Sequence, residues 1–72
     1  DVEGYKGRQR EKLESIAHSS ANRAVAQHKS VKLRPMTPYE RRIIHITLRA
    51  DERVETASEG EGSARHVVIL PV

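Results

Sequence analysis

Cysteine, phenylalanine and tryptophan are absent from this 72-residue chain, and two tyrosines are its only aromatic residues. Without cysteine there can be no disulfide staple and no thiolate metal site, and the chain needs no oxidising compartment, which fits the cytosol. Without Phe or Trp the core has to be thin and built from Ile, Val, Leu and Ala. The broad stacking surface of RNA-recognition-motif or cold-shock proteins is missing too. No apolar run approaches the roughly 20 residues that cross a bilayer, so membrane insertion is not expected. The first residues, Asp-Val-Glu-Gly-Tyr, lack a starting Met and signal-peptide character, and read as the beginning of a domain cut from a longer protein. A chain of this size makes one domain that buries only about 60% of its unfolded surface, leaving little room for a deep substrate pocket. No enzyme and no cofactor is expected.

Charge is plentiful but uneven. Residues 1–50 hold 11 Lys and Arg against 5 Asp and Glu, a balance of +6, whereas residues 51–72 hold 2 against 5, a balance of −3. Such a split points to a basic surface facing a polyanion, with the acidic part turned elsewhere.

The apolar residues come in periodic groups. Leu13, Ile16, Ala17, Ala21, Ala24 and Val25 recur at spacings of three and four, which predicts a helix from about Arg8 to Gln27. Lys6, Arg8, Arg10 and Lys12 crowd its start, where positive charge opposes the helix dipole and a phosphate partner would relieve the conflict. Gly4-Tyr5-Lys6-Gly7 imitates the G-x-x-G loop of KH domains, but no helix precedes it and it is set aside. Val31-Lys32-Leu33-Arg34 alternates as a short strand, and Pro35-Met36 should turn the chain. Thr37-Pro38-Tyr39-Glu40 has the marks of a helix start, with a Thr cap, Pro at the first position and Glu three residues after the cap. That second helix should run from Pro38 to about Arg49 or Ala50. Val54–Ser58 and Arg65–Leu70 read as two strands joined by Glu59-Gly60-Glu61-Gly62-Ser63, with Pro71 ending the last. The fold class is therefore α+β, order α-β-α-β-β: two layers, with a three-stranded sheet and two helices packed on one face.

The second helix carries the most informative face. At about 100° per residue from Arg41, His45 falls near 40°, Arg49 near 80° and Arg42 near 100°, with apolar residues to either side and Glu40 opposite. A solvated face usually mixes signs for i,i+4 pairing, so three Arg and one His without an acid favour phosphate contact. Arg41 and His45 lie one turn apart and can converge on one ligand oxygen or one base. Arg offers a fork for phosphate and a plane for stacking. His can donate to phosphate, stack, or anchor its helix by bonding inward.

Arg41-Arg42-Ile43-Ile44-His45 matches the Arg-x-x-x-His spacing that gives the R-3-H domain its name. The block Pro35-Met36-Thr37-Pro38-Tyr39-Glu40-Arg41-Arg42-Ile43-Ile44-His45 resembles the bacterial Jag (SpoIIIJ-associated, KhpB) family, as do Asp1–Tyr5 and Val54–Gly62. The resemblance covers essentially the whole chain. It implies a cytoplasmic, single-stranded nucleic-acid-binding module of a bacterial RNA-binding regulator of cell elongation and division, with RNA ahead of DNA as ligand. In that family the module follows an N-terminal Jag domain and a KH domain, and the full-length protein pairs with a small KH protein. Residues 1–6 would then be a strand stub or linker from a preceding domain, and residues 7–72 the R-3-H domain. Arg41 and His45 inherit the motif's binding role from the resemblance. Arg42 and Arg49 are proposed from helix geometry, and Lys6, Arg8 and Arg10 from the basic helix start. Lys6 departs from the Arg that relatives often carry after the tyrosine.

The alternative function is a protein-interaction module whose basic face docks an acidic partner of the division machinery. A nuclease pairing His45 with His66 or His18 lacks a helix-turn spacing and an accompanying carboxylate. Metal binding fails because no His pair stands at ligand spacing.

Overall fold

The computed structural model describes residues 3–72, and the side chains of residues 7–72. The element order is α1 (Glu3–Gln27), β1 (Val31–Pro35), α2 (Pro38–Leu48), β2 (Val54–Glu59), a 3-10 turn at Gly62–Ala64, and β3 (His66–Pro71). The strands form one antiparallel sheet in the order β1-β3-β2. This is the expected α+β arrangement.

The apolar periodicity of α1 is realised in the core. Leu13, Ala17, Ala21 and Ala24 are buried, and with Ile43, Ile44 and Leu48 of α2 they join Val54, Val67 and Ile69 of the sheet in one cluster. Both helices therefore lie on the same sheet face. Three of the four α1 residues in that cluster are alanines and the neighbouring Ser20 is also buried, so α1 can lie close to the strands without Phe or Trp to fill a gap.

Two expectations are corrected. The strand stub or linker over residues 1–6 gives way to helix from Glu3 onward, residues 1 and 2 lying outside the described residues. Helix propagation costs little once the Leu13–Ala24 stripe is docked, and it carries the helix back through Gly4 and Gly7. The G-x-x-G look-alike is thus part of a helix and not a loop. Pro35 does not turn the chain but closes β1, paired with His66 beyond an irregularity in register after Lys32. β1 is an edge strand, and at its end the missing N–H of proline leaves no ladder bond unmade. Pro71 is likewise the last residue of β3, opposite Val54.

α2 starts as its sequence dictates. Thr37 Oγ1 accepts from the Glu40 N–H at 3.3 Å, and Glu40 Oε1 accepts from the Thr37 N–H at 2.9 Å. Hydrogen bonds donated to Glu40 Oε1 by the Thr37 N–H and, at 3.1 Å, by the Thr37 hydroxyl hold the Glu40 carboxyl below its ordinary range. Glu40 also accepts from Gln9 Nε2 at 3.2 Å, which ties the start of α2 to α1. At the other end, Arg53 grips Asp51 through both carboxylate oxygens and its own N–H, and holds the Asp51 carboxyl down to about 2. The β2–β3 connection needs glycine at position 60: its φ is +88°, and a Cβ there would stand 2.8 Å from the Ala64 carbonyl oxygen.

Candidate functional site

β2 supplies the floor beneath α2. Alternation puts Val54, Thr56 and Ser58 on the helix-facing side, and only the first is apolar. The two hydroxyls meet His45. Its Nδ1 lies 2.8 Å from Thr56 Oγ1 and its Nε2 2.9 Å from Ser58 Oγ. Of the three roles open to a histidine here, the geometry realises inward anchoring: both ring nitrogens are engaged with the sheet. A neutral imidazole donates from one nitrogen and accepts at the other, and hydroxyls can serve either role.

Arg41 is also engaged with its own fold, since its Nη1 donates to the Met36 carbonyl at 2.7 Å. The Arg-x-x-x-His pair thus clamps α2 at two points, one turn apart, to the β1–α2 connection and to β2. The side chains remain half-buried at the surface. They border an open hollow of about 470 Å³ together with Arg42, Arg49, Ser58 and Arg65. Four arginines line this hollow and no acid does. Arg42 and Arg49 are exposed, and neither has a salt-bridge partner among the described residues.

Arg65 is the member that sequence reasoning missed. It sits just before β3, donates through Nη1 to the Gly60 carbonyl at 2.9 Å, and is drawn to the face by the hairpin. Its own carbonyl accepts from the Met36 N–H at 3.2 Å, so the two chain segments that flank Arg41 are pinned together. Nothing in a helical-wheel reading could have placed residue 65 beside residue 41. The hydroxyls of Thr56 and Ser58 did leave a signal: polar groups at core-facing strand positions require partners.

The other sequence-predicted residues are dispersed. Arg10 lines a groove between α1 and α2, next to Arg42. Arg8 borders a different cleft, with Lys12, Arg34 and Glu40. The side chain of Lys6 lies outside the described residues. Among the described residues no group of three or more His, Asp and Glu is placed to hold a metal, and no helix is long and apolar enough to cross a membrane.

Burial and the adjacent Arg41 cation both push the His45 imidazole below its ordinary value, burial the more. A histidine with a depressed folded pKa leaves the unfolded chain binding more protons once pH falls below about 6.5. The stability contributed by neutral His45 is therefore present above about pH 6.5 and lost as pH falls through the depressed value. Urea midpoints from pH 7.5 to 5 should decline more steeply for the wild type than for His45→Gln, whose side chain does not titrate. Parallel curves for the two proteins would show that His45 is not held neutral by this site.

A family model for the R-3-H domain matches residues 11–71. The chain is similar to the protein named "RNA-binding protein KhpB" in Clostridium symbiosum, with 48% identity over 69 residues that cover 96% of this chain and 31% of that protein. It is similar as well to the KhpB proteins of Bacillus subtilis (41% over 71 residues; 96% of this chain, 34% of that one) and Lactiplantibacillus plantarum (39% over 69; 96% and 21%). The chain thus spans about a third or less of the length of these relatives.

Proposed function

The chain belongs to the R-3-H domain family, in its KhpB and Jag branch, and on that premise we propose that it is a single-stranded nucleic-acid-binding module with RNA as its principal ligand. The observation that carries this reading is the hollow lined by Arg41, Arg42, Arg49 and Arg65 without a carboxylate. Guanidinium groups from a helix and from a strand start converge there, and planar forks of this kind suit phosphate oxygens. The hollow is open, which fits a strand passing across it better than a small molecule enclosed in it.

The division of labour follows from the hydrogen bonds. His45 and Arg41 position α2, Arg41 keeping its remaining donors for a phosphate. Arg42, Arg49 and Arg65 supply the outer phosphate contacts, and Arg10, paired with Glu14, borders the adjoining groove. Within a longer protein the module would serve a cytoplasmic RNA-binding regulator and act alongside a KH domain and a small KH partner. The relatives' name, RNA-binding protein, supports RNA over DNA.

Fluorescence anisotropy with labelled 12-nucleotide RNA and DNA strands tests the reading. With about three phosphates neutralised, log affinity should fall with log salt at a slope of roughly −2. Affinity indifferent to salt, or no binding of either strand at low ionic strength, would refute it.

A further inference from the structure

The arginine hollow does not end at Arg42 and Ile46. The same two residues line a second cavity of about 280 Å³ between α1 and α2, bordered also by Arg10, Glu14, Tyr39 and Ile43. Its exposed apolar surface comes from Tyr39 and Ile46, 49% and 50% exposed and seven residues apart on one side of α2. The other exposed large apolar residues among those described, Leu70 and Val72, lie on β3 and just beyond it. A lone exposed apolar side chain needs no explanation. Here a tyrosine and an isoleucine share a groove, and the groove is continuous with a phosphate-binding face.

We propose that this groove receives one unpaired nucleobase, laid against Tyr39 and Ile46, from the strand whose phosphates lie on the arginine hollow; the inference rests on the reading of that hollow given above. Charge separates the two compartments. The arginine hollow has no acid, whereas the groove contains the Glu14 carboxylate, 3.5 Å from Arg10 Nε. A carboxylate repels phosphate but accepts hydrogen bonds from the amino and ring N–H groups of a base edge. Tyr39 offers a ring face, and stacking on it is indifferent to base identity because every base has a π-face. Arg42 borders both cavities, so one guanidinium can pair with a phosphate while its plane covers the neighbouring base. Tyr39 would provide an aromatic contact in a chain that has neither Phe nor Trp.

The test compares a 12-nucleotide RNA with a strand of equal length and charge that lacks its bases, using the 72-residue chain. The wild type should bind the natural strand roughly five- to a hundredfold more tightly than the abasic one. Tyr39→Leu keeps an apolar side chain at an exposed position and should lose most of that preference, with binding to the abasic strand unchanged. Tyr39→Trp provides a readout that does not depend on affinity: its fluorescence should be quenched by the natural strand and not by the abasic one. Equal wild-type affinity for the two strands, or an equal loss on both in Tyr39→Leu, would overturn the base groove and leave the phosphate face standing. Binding of neither strand would remove both.

Discussion

Ile44→Ala is expected to cost about 2–5 kcal/mol of stability, the range for truncating a fully buried aliphatic side chain. Ile44 has no exposed surface and belongs to the cluster where α1, α2 and the sheet meet. The whole domain can hold only about 4–11 kcal/mol at ordinary stability per residue, so one truncation takes a large share. The penalty is severe because the core has no spare bulk. Its largest fully buried side chains are Leu13, Ile44, Ile69, Val67 and Val68, and its α1 contribution is mostly alanine. Alanines that already sit against the strands cannot move in to fill a cavity. Urea denaturation should show a lower midpoint at unchanged slope, with Ile44→Val losing only about 0.5–1.5 kcal/mol. A loss below about 1 kcal/mol for the alanine variant would mean that α2 is not seated on the sheet as described. Ile44 does not line the arginine hollow, so nucleic-acid binding should fall only in proportion to the fraction unfolded.

The same α2 shows what the sequence discloses and what it withholds. Its start was readable because capping is local: Thr37, Pro38 and Glu40 act within one turn of each other. The stripe of α1 was readable because helical burial has a fixed period, and Ala17, Ala21 and Ala24 keep to it. The first turn of α1 escaped because helix, once nucleated, runs on through residues whose sequence carries no apolar periodicity. Pro35 escaped because whether a proline turns a chain or ends an edge strand depends on strand order, which is a long-range matter.

The candidate site divides along the same line. Arg41, Arg42, His45 and Arg49 share one helix, and their common face follows from spacing alone. Arg65 joins them through the hairpin, and the engagement of His45 by Thr56 and Ser58 depends on which strand passes beneath α2. The wheel also left open that Tyr39 and Ile46 stay half exposed, since whether an apolar flank is covered depends on how α1 crosses it. Partners on the same helix could be read from the sequence, and partners across the sheet could not.

The Arg42→Ala/Arg49→Ala variant should lose about thirtyfold in affinity for a 12-nucleotide RNA at low salt, taking about 1 kcal/mol for each exposed charge-assisted phosphate contact. Its log–log salt slope should flatten by roughly 1.4, because each single-strand phosphate contact contributes about 0.7. Stability should hardly change. Both side chains are exposed and neither makes a salt bridge or side-chain hydrogen bond among the described residues, and substitutions at such positions stay within about 0.5 kcal/mol. That separation of binding from stability sets these two apart from Arg41, whose truncation also abandons the Met36 carbonyl and so should cost both. Net charge falls by two in the double variant, and a diffuse field alone could weaken binding. Arg23→Ala/Lys29→Ala removes the same charge from exposed positions, one near the C-terminal end of α1 and one just beyond it, that border none of the hollows described above. If the phosphates lie on α2, this control keeps the wild-type slope and most of the affinity. If the two variants weaken binding equally, the basic surface acts as a whole and the arginine hollow has no privileged role. If neither weakens it, the strand lies elsewhere, and the cleft bordered by Arg8, Lys12 and Arg34 becomes the place to look.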